Sequence, residues 1–220
     1  TESEAFFADG TFDLSDTTRL SLGVRRTTDE FTSKQDNFIS ILVPMPLIAA
    51  QTCDREVVTE YSSTTSRAVL QHDLNADSNV YASFSEGFKA GGYATYECTE
   101  PYDPEEVTSF ELGFKGSLGE NTSLNASLFR YDYTDFQVLQ VVGIQTVTRN
   151  AGDATVNGLE LEALSNINDS LSINYGLTLL DATYGEFLNT NGIQPQLGEQ
   201  QLEGNYLTNA PKVSINLGLN

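Results

Sequence analysis

The sequence predicts an all-β fold, an antiparallel meander of about nine long strands forming part of a transmembrane β-barrel. Three observations carry that expectation. From Ser78 to Asn220, runs of about ten residues alternate apolar with small or polar side chains, the two-residue period of a strand with unlike surroundings on its two faces. Tight polar turns and long loops follow one another in turn, as expected when one side of a barrel faces the periplasm and the other faces outward. No stretch of about eighteen apolar residues is present, so no transmembrane helix is expected. In such a barrel the apolar face meets lipid and the polar face lines a wet bore. A hydrophobic content of 39% suits that arrangement better than a filled core.

The first two strands are predicted at about 3–13 and 18–29, joined by Leu14-Ser15-Asp16-Thr17. In the second, Leu20, Leu22 and Val24 share one face, and Arg19, Ser21, Gly23 and Arg25 the other. Residues 30–66 show no steady period and read as one long connection. A third strand at 67–75 meets the turn Asn75-Ala76-Asp77-Ser78, whose side chains can bond their own backbone. The fourth, 79–91, sets Val80, Ala82 and Phe84 against Tyr81, Ser83 and Ser85, and a loop follows at 93–106. The fifth, 107–118, places Phe110, Leu112 and Phe114 opposite Ser109, Glu111, Gly113 and Lys115.

After Gly119-Glu120-Asn121-Thr122, a long sixth strand at 123–140 loses its period from Arg130 to Asp135, where a bulge or an exit from the membrane is expected. The seventh, 146–166, puts Leu159, Leu161 and Ala163 opposite Gly158, Glu160 and Glu162. The eighth follows Asn168-Asp169-Ser170 and alternates through Ile173, Tyr175, Leu177 and Leu179. A loop at 187–208 precedes the ninth, which contains Val213, Ile215 and Leu217.

Charge and termini narrow the class further. With 11 Lys and Arg against 31 Asp and Glu, the net charge of −20 excludes a nucleic-acid partner, since phosphates require cations. It equally disfavours peripheral attachment to anionic lipid. No basic segment followed by an apolar one comes after Thr1, so no signal peptide is read here. The longest apolar run, Ile39–Ala50, is broken by Pro44 and Pro46 and reads as a loop that folds inward or packs on its neighbours. Cys53 and Cys98 both fall in long loops on the same side. They are either unrelated thiols or a disulfide, which would close a loop of about 45 residues and contribute about 4 kcal/mol on the chain-entropy model.

Several segments have a more specific look. Tyr81-Ala82-Ser83-Phe84-Ser85-Glu86-Gly87-Phe88-Lys89-Ala90-Gly91-Gly92-Tyr93 is one, and Pro104-Glu105-Glu106-Val107-Thr108-Ser109-Phe110-Glu111-Leu112-Gly113-Phe114-Lys115 another. Phe129–Gln137, Asn150–Glu162 and Asn209-Ala210-Pro211-Lys212 follow. In this order, and at these places in the hairpin pattern, they resemble TonB-dependent outer-membrane receptors, with Thr18–Arg26 a looser match. Glu86 departs from the family pattern, where an Arg is common.

The resemblance implies a 22-stranded barrel in the outer membrane of a Gram-negative bacterium, in contact with outer-membrane lipid. It implies a nutrient ligand such as a ferric siderophore, and TonB as a partner acting through a plug domain. No segment here matches the plug or the box that engages TonB, so residues 1–220 are expected to be one partial barrel domain, roughly strands ten to eighteen. Lumen-facing Arg19, Arg25, Glu111, Lys115, Glu160 and Glu162 are the candidates for contacting the plug. Tyr93 and Tyr96, aromatic residues of an outer loop, are the candidates for contacting ligand. Membrane-interface aromatics are the competing reading of both.

No enzyme is expected. The single histidine, His72, lies on a strand, and no G-x-S-x-G elbow is present. Glu160 and Glu162 could suggest a catalytic carboxylate pair, but lumen charges paired with Lys or Arg of neighbouring strands account for them more simply. Asp132, Asp135 and Asp153 lack calcium-loop spacing, and no metal or cofactor is expected. Two other classes use the same strands: an adhesive fibre or surface layer built from unpaired edges, and a passive porin.

Overall fold

The computed structural model describes residues 1–36, 54–93, 101–142, 145–190 and 197–220. Its strands in chain order are β1 (Glu2–Ser15), β2 (Thr18–Asp36), β3 (Asp54–Asn75), β4 (Ser78–Lys89), β5 (Glu105–Leu118), β6 (Thr122–Thr134), β7 (Gln137–Val142), β8 (Gln145–Asn150), β9 (Ala154–Asn168), β10 (Leu171–Tyr184), β11 (Leu188–Thr190), β12 (Glu199–Gln201) and β13 (Val213–Leu219). Nine of them form one sheet in the order β1-β2-β3-β4-β5-β6-β9-β10-β13, each pair antiparallel. The pairs β7–β8 and β11–β12 are separate two-stranded hairpins within the long loops.

Two of the short turns close as their side chains dictate. Asn75 Oδ1 accepts from the Asp77 N–H at 2.9 Å, and Asn168 Oδ1 accepts from the Ser170 N–H at 2.9 Å. These closures fix the register of β3 with β4 and of β9 with β10, and the register observed across all nine strands lines the two faces up. Phe12, Leu20, Leu70, Ala82, Leu112, Leu128, Leu159, Leu179 and Val213 stand side by side in one unbroken apolar row. One residue along each strand, on the other face, stand Asp13, Arg19, Gln71, Tyr81, Gly113, Ser127, Glu160, Thr178 and Ser214, with no aliphatic side chain among them. No second sheet covers the apolar row among the described residues. Leu112 is 60% exposed and Leu128 58%, where a two-layer sandwich would bury them.

The apolar band is bounded on its outer side. On that face Val80, Ala82 and Phe84 give way to Glu86 on β4, Leu124, Ala126 and Leu128 to Arg130 and Asp132 on β6, and Leu179 to Asp181 on β10. The band thus spans three to five alternate residues per strand, roughly 14–27 Å along the strand, the longest runs approaching the height of about 25 Å of an outer-membrane barrel's apolar band.

The strands match the sequence reading closely through the band and depart from it beyond. β2 runs to Asp36 and β3 begins at Asp54, so much of the predicted 30–66 connection is an extended hairpin projecting past the band. The predicted long sixth strand stops at Thr134, where Asp135 takes φ 53° and turns the chain out of the sheet. The predicted seventh divides into β8, in a loop hairpin, and β9, in the wall. The run Ile39–Ala50 lies outside the described residues.

A small core exists under the loops. Phe129, Ala151, Ala154, Ala182 and Phe187 are buried, at the outer end of the polar face of β6, β9 and β10. The loops after β6 and β10 therefore fold over the inner wall. Phe136 meets Tyr133 and Tyr184 at centroid distances of 5.3 and 6.4 Å, and Tyr184 meets Phe187 at 5.5 Å.

Candidate functional site on the inner wall and its rim

All six predicted lumen residues lie on the polar face, but they do not form one cluster. Arg19 is neutralised within the wall: its Nη2 donates to both carboxylate oxygens of Asp73 at 2.8 Å, and Gln71 Nε2 donates to Asp73 Oδ1 at 3.0 Å. Arg25 donates through Nε to Thr27 Oγ1 at 3.0 Å and makes no ion pair among the described residues. Glu111 accepts a hydrogen bond from the Tyr81 hydroxyl. The Tyr81 ring lies over Gly113, and Lys115 Nζ sits 5.2 Å from its centroid. Glu111 and Lys115 are thus joined through one tyrosine.

Glu160 and Glu162 project from β9 and are exposed. Glu160 is flanked across the strands by Ser127 and Thr178, and Glu162 by Asn125 and Gly176. The expected Lys or Arg partners are not on this face of the neighbouring strands: β10 has none, and Arg130 of β6 stands on the other face, in register with Asn157. Near the centre of β9 the two carboxylates make no ion pair among the described residues.

The outer rim holds polar chemistry that periodicity alone does not reveal. Gln137 is buried, and its Nε2 donates to the carbonyls of Ala90 at 3.1 Å, Asp103 at 3.0 Å and Lys89 at 3.5 Å. Its backbone N–H donates to Glu105 Oε2 at 2.7 Å. Asn150 bonds both main-chain groups of one residue: Oδ1 accepts from the Asp103 N–H at 2.8 Å, and Nδ2 donates to the Asp103 carbonyl at 3.0 Å and the Asp135 carbonyl at 2.7 Å. Gly92 and Tyr102 exchange backbone hydrogen bonds at 3.1 and 2.8 Å, closing the neck of the loop between β4 and β5.

Tyr93 belongs to this neck. It is half-buried, and its hydroxyl accepts from Thr59 Oγ1 at 2.7 Å, which pins it to the outer extension of β3. Beside it Tyr61, on the same extension and well outside the apolar band, donates to the Tyr102 carbonyl at 3.1 Å. Burial, and next the nearby Asp103 carboxylate, push the Tyr61 phenol above its ordinary value. Tyr96, Cys53 and Cys98 lie outside the described residues. His72 is exposed on the apolar face, with Nδ1 2.9 Å from Thr18 Oγ1.

Sequence reasoning passed over Gln137, Asn150 and Tyr61, and also an ion pair between Arg67 and Asp9 on the inner wall at 2.7 Å. Gln137 and Asn150 stand within the quoted segments, so their presence was visible although their partners were not.

Comparison with known proteins agrees with this geometry. The sequence model of the family described as "TonB dependent receptor-like, beta-barrel" matches residues 1–220. The chain is 34% identical over 120 residues to a probable TonB-dependent siderophore receptor, PiuA, of Acinetobacter baumannii, covering 52% of this chain and 15% of that protein. It is 29% identical over 129 residues to a ferric-pyoverdine BN7/BN8 receptor of Pseudomonas putida, covering 56% of this chain and 16% of that one. Among solved structures, the ferric yersiniabactin uptake receptor FyuA of Yersinia pestis superposes with a TM-score of 0.75 at 20% identity, over 99% of this chain and 31% of its own. The siderophore receptor PiuA of Acinetobacter baumannii does so with a TM-score of 0.72 at 20% identity, over 99% and 30%. These superpositions show the shared wall architecture, of which this chain spans less than a third.

Proposed function

The chain belongs to the TonB-dependent receptor-like β-barrel family, and we propose that it is a wall segment of an outer-membrane importer for a scarce nutrient, such as a ferric siderophore. One observation carries the reading: the unbroken apolar row from Phe12 to Val213 backs directly onto the polar row from Asp13 to Ser214. An apolar row with no protein cover among the described residues, backed by a polar row with no aliphatic side chain, fits lipid on one side and an aqueous bore on the other. The ligand class is taken from the names of the Acinetobacter and Pseudomonas relatives.

In this reading the segment acts as a fixed wall. Its rim and inner face receive the ligand, and its carboxylates Glu160 and Glu162 hold a cationic surface of the plug. Energy comes from TonB acting on that plug. The bare edges of β1 and β13 pair with the remaining strands of a 22-stranded barrel, the count expected of the family, which makes the fibre reading unnecessary.

The test compares neighbouring positions in the full receptor. Leu128→Lys places a charge in the apolar row and is expected to cost about 2–4 kcal/mol near the bilayer midplane, so the folded, heat-modifiable form is lost. Ser127→Lys, one residue away on the polar face, is expected to insert normally. Equal tolerance of both substitutions refutes the orientation. Uptake is tested separately, by growth of the source bacterium on single ferric siderophores after deletion of the receptor. Growth on every one, undiminished, refutes the transport reading.

A further inference from the structure

We propose that Gln137 is a positioning residue that locks the bases of three outer loops into one cooperative unit, so that the rim of the wall opens as a block. The loops are those after β4, after β6 and after β10. The inference concerns the mechanics of the rim and stands apart from the identity of the ligand.

The first link joins the loop after β4 to the loop after β6. Gln137 is 9% exposed, so its amide has little water to turn to if the carbonyls of Ala90 and Asp103 that accept from it move away. Its backbone N–H is held by a carboxylate, Glu105, at the foot of β5. Asn150 then closes the same knot from the far end of the loop by bonding Asp103 on both its N–H and its carbonyl. One glutamine and one asparagine thus bring together both ends of two loops.

The second link joins the loop after β6 to the loop after β10. Gln140 Nε2 donates to Asn189 Oδ1, Phe136 packs edge-on against Tyr184, and the Gly185 N–H donates to the Asp153 carbonyl at 2.8 Å. Gly152 makes the closest approach. It sits at φ 86°, and a Cβ there would lie 2.2 Å from the Glu186 carbonyl oxygen. Hydrogen-bond networks built around a buried member such as Gln137 are cooperative: losing that member weakens the bonds that share its partners. Stretches that share such bonds exchange their amide hydrogens as a unit.

The test is hydrogen exchange, resolved by amide, on the full receptor in a lipid nanodisc, comparing wild type with Gln137→Ala and with Gln137→Glu, which keeps the shape but removes the donor. Both variants are expected to speed exchange at least tenfold at Gly92 and Tyr102, at Ala151, and also at Gly185 and Leu202, which Gln137 does not touch. The wall amides of Leu112 and Leu161 are expected to stay unchanged. Acceleration confined to residues 90–104 and 135–137 overturns the proposal, as does no acceleration at all. Should both Gln137 variants fail to insert, Asn189→Ala tests the second link by itself. It is expected to speed Gly185 and Ala151 together, and speeding Gly185 alone overturns the coupling.

Discussion

Asp9 and Arg67 stand on strands that are not neighbours, yet they form an ion pair of 2.7 Å across the strand between them. The intervening residue is Gly23, paired in register with both. A Cβ on Gly23 would lie 2.6 Å from Asp9 Oδ2 and 3.0 Å from Arg67 Nε. The bridge therefore depends on the missing side chain. Gly23→Val is expected to part the two charges. The pair is roughly half exposed, so its worth is about 0.2–1 kcal/mol. In a double-mutant cycle by denaturant unfolding of the full receptor, Asp9→Asn should carry that cost in the wild type and none beside Gly23→Val. An equal cost in both backgrounds would show that the bridge does not pass over Gly23.

How much of this was legible in the sequence follows from where water lies. Within the apolar band, one face meets lipid and the other water, so Leu112 against Glu111 and Leu161 against Glu160 read directly as alternation. Beyond the band both faces are wet. The outer half of β3, with Glu60, Ser62 and Thr64 on one face and Thr59, Tyr61 and Ser63 on the other, loses its period and reads as a loop. Partnerships across long loops were hidden for a different reason. Gly23 meets Arg67 because β2, which ends at Asp36, pairs with β3, which begins only at Asp54, and no local signal fixes that register. The rim was hidden because Gln137 and Asn150 act through main-chain bonds, which carry no hydropathy signature.

Tyr81 and Gly113 illustrate a second dependence on glycine. The Tyr81 ring covers Gly113 so closely that a Cβ there would fall 2.2 Å from its Cζ. That placement sets the hydroxyl against Glu111 and the ring beneath Lys115. Tyr81→Phe removes only the hydrogen bond, a loss of about 1 kcal/mol for a half-buried site. Gly113→Val expels the ring and loses all three contacts. Thermal unfolding of the full receptor should rank Gly113→Val as the more damaging, and the reverse order would refute this account.

Gly152 is the position at the rim least able to accept a side chain. Its φ of 86° disfavours every other residue, and the atom a Cβ would strike is the Glu186 carbonyl, a backbone group. Gly152→Ala is expected to cost about 1–3 kcal/mol of local order. The wall does not depend on this contact, so the loss should show as faster cleavage by added protease within the loops after β6 and β10, with the heat-modifiable barrel intact. Unchanged cleavage would contradict it.

The Tyr61 contact gives the rim a pH dependence. The phenol must keep its proton to donate to the Tyr102 carbonyl, and the fold holds its titration above the ordinary range. A raised folded value means that the contribution is full below the unfolded value of about 10 and is lost as pH rises through the folded value. Cleavage of the loop between β4 and β5 should therefore accelerate above about pH 10. Tyr61→Phe should cleave faster at neutral pH and show no such rise. A rise retained in the variant would assign the effect to another group.

Glu160 and Glu162 offer the sharpest test of what fills the bore. Both are exposed on the wall, and their neighbours across the strands, Ser127, Thr178, Asn125 and Gly176, carry no charge. Two carboxylates two residues apart repel each other weakly through water, and far more strongly once a plug displaces that water, unless the plug supplies cations. Glu160→Lys would then set like charges face to face, with an expected cost of about 2–5 kcal/mol at a desolvated contact. In the full receptor the plug should become sensitive to added protease at lower urea concentration, and uptake of the transported ligand should fall. Glu199→Lys, the same change on an exposed loop hairpin, controls for net charge and should leave both readouts alone. Arg19→Glu makes the complementary comparison: its partner Asp73 lies within the wall, so its damage should appear in barrel unfolding before it appears in plug protection. Plug protection and uptake that survive Glu160→Lys would show that the bore's occupant does not rest on β9.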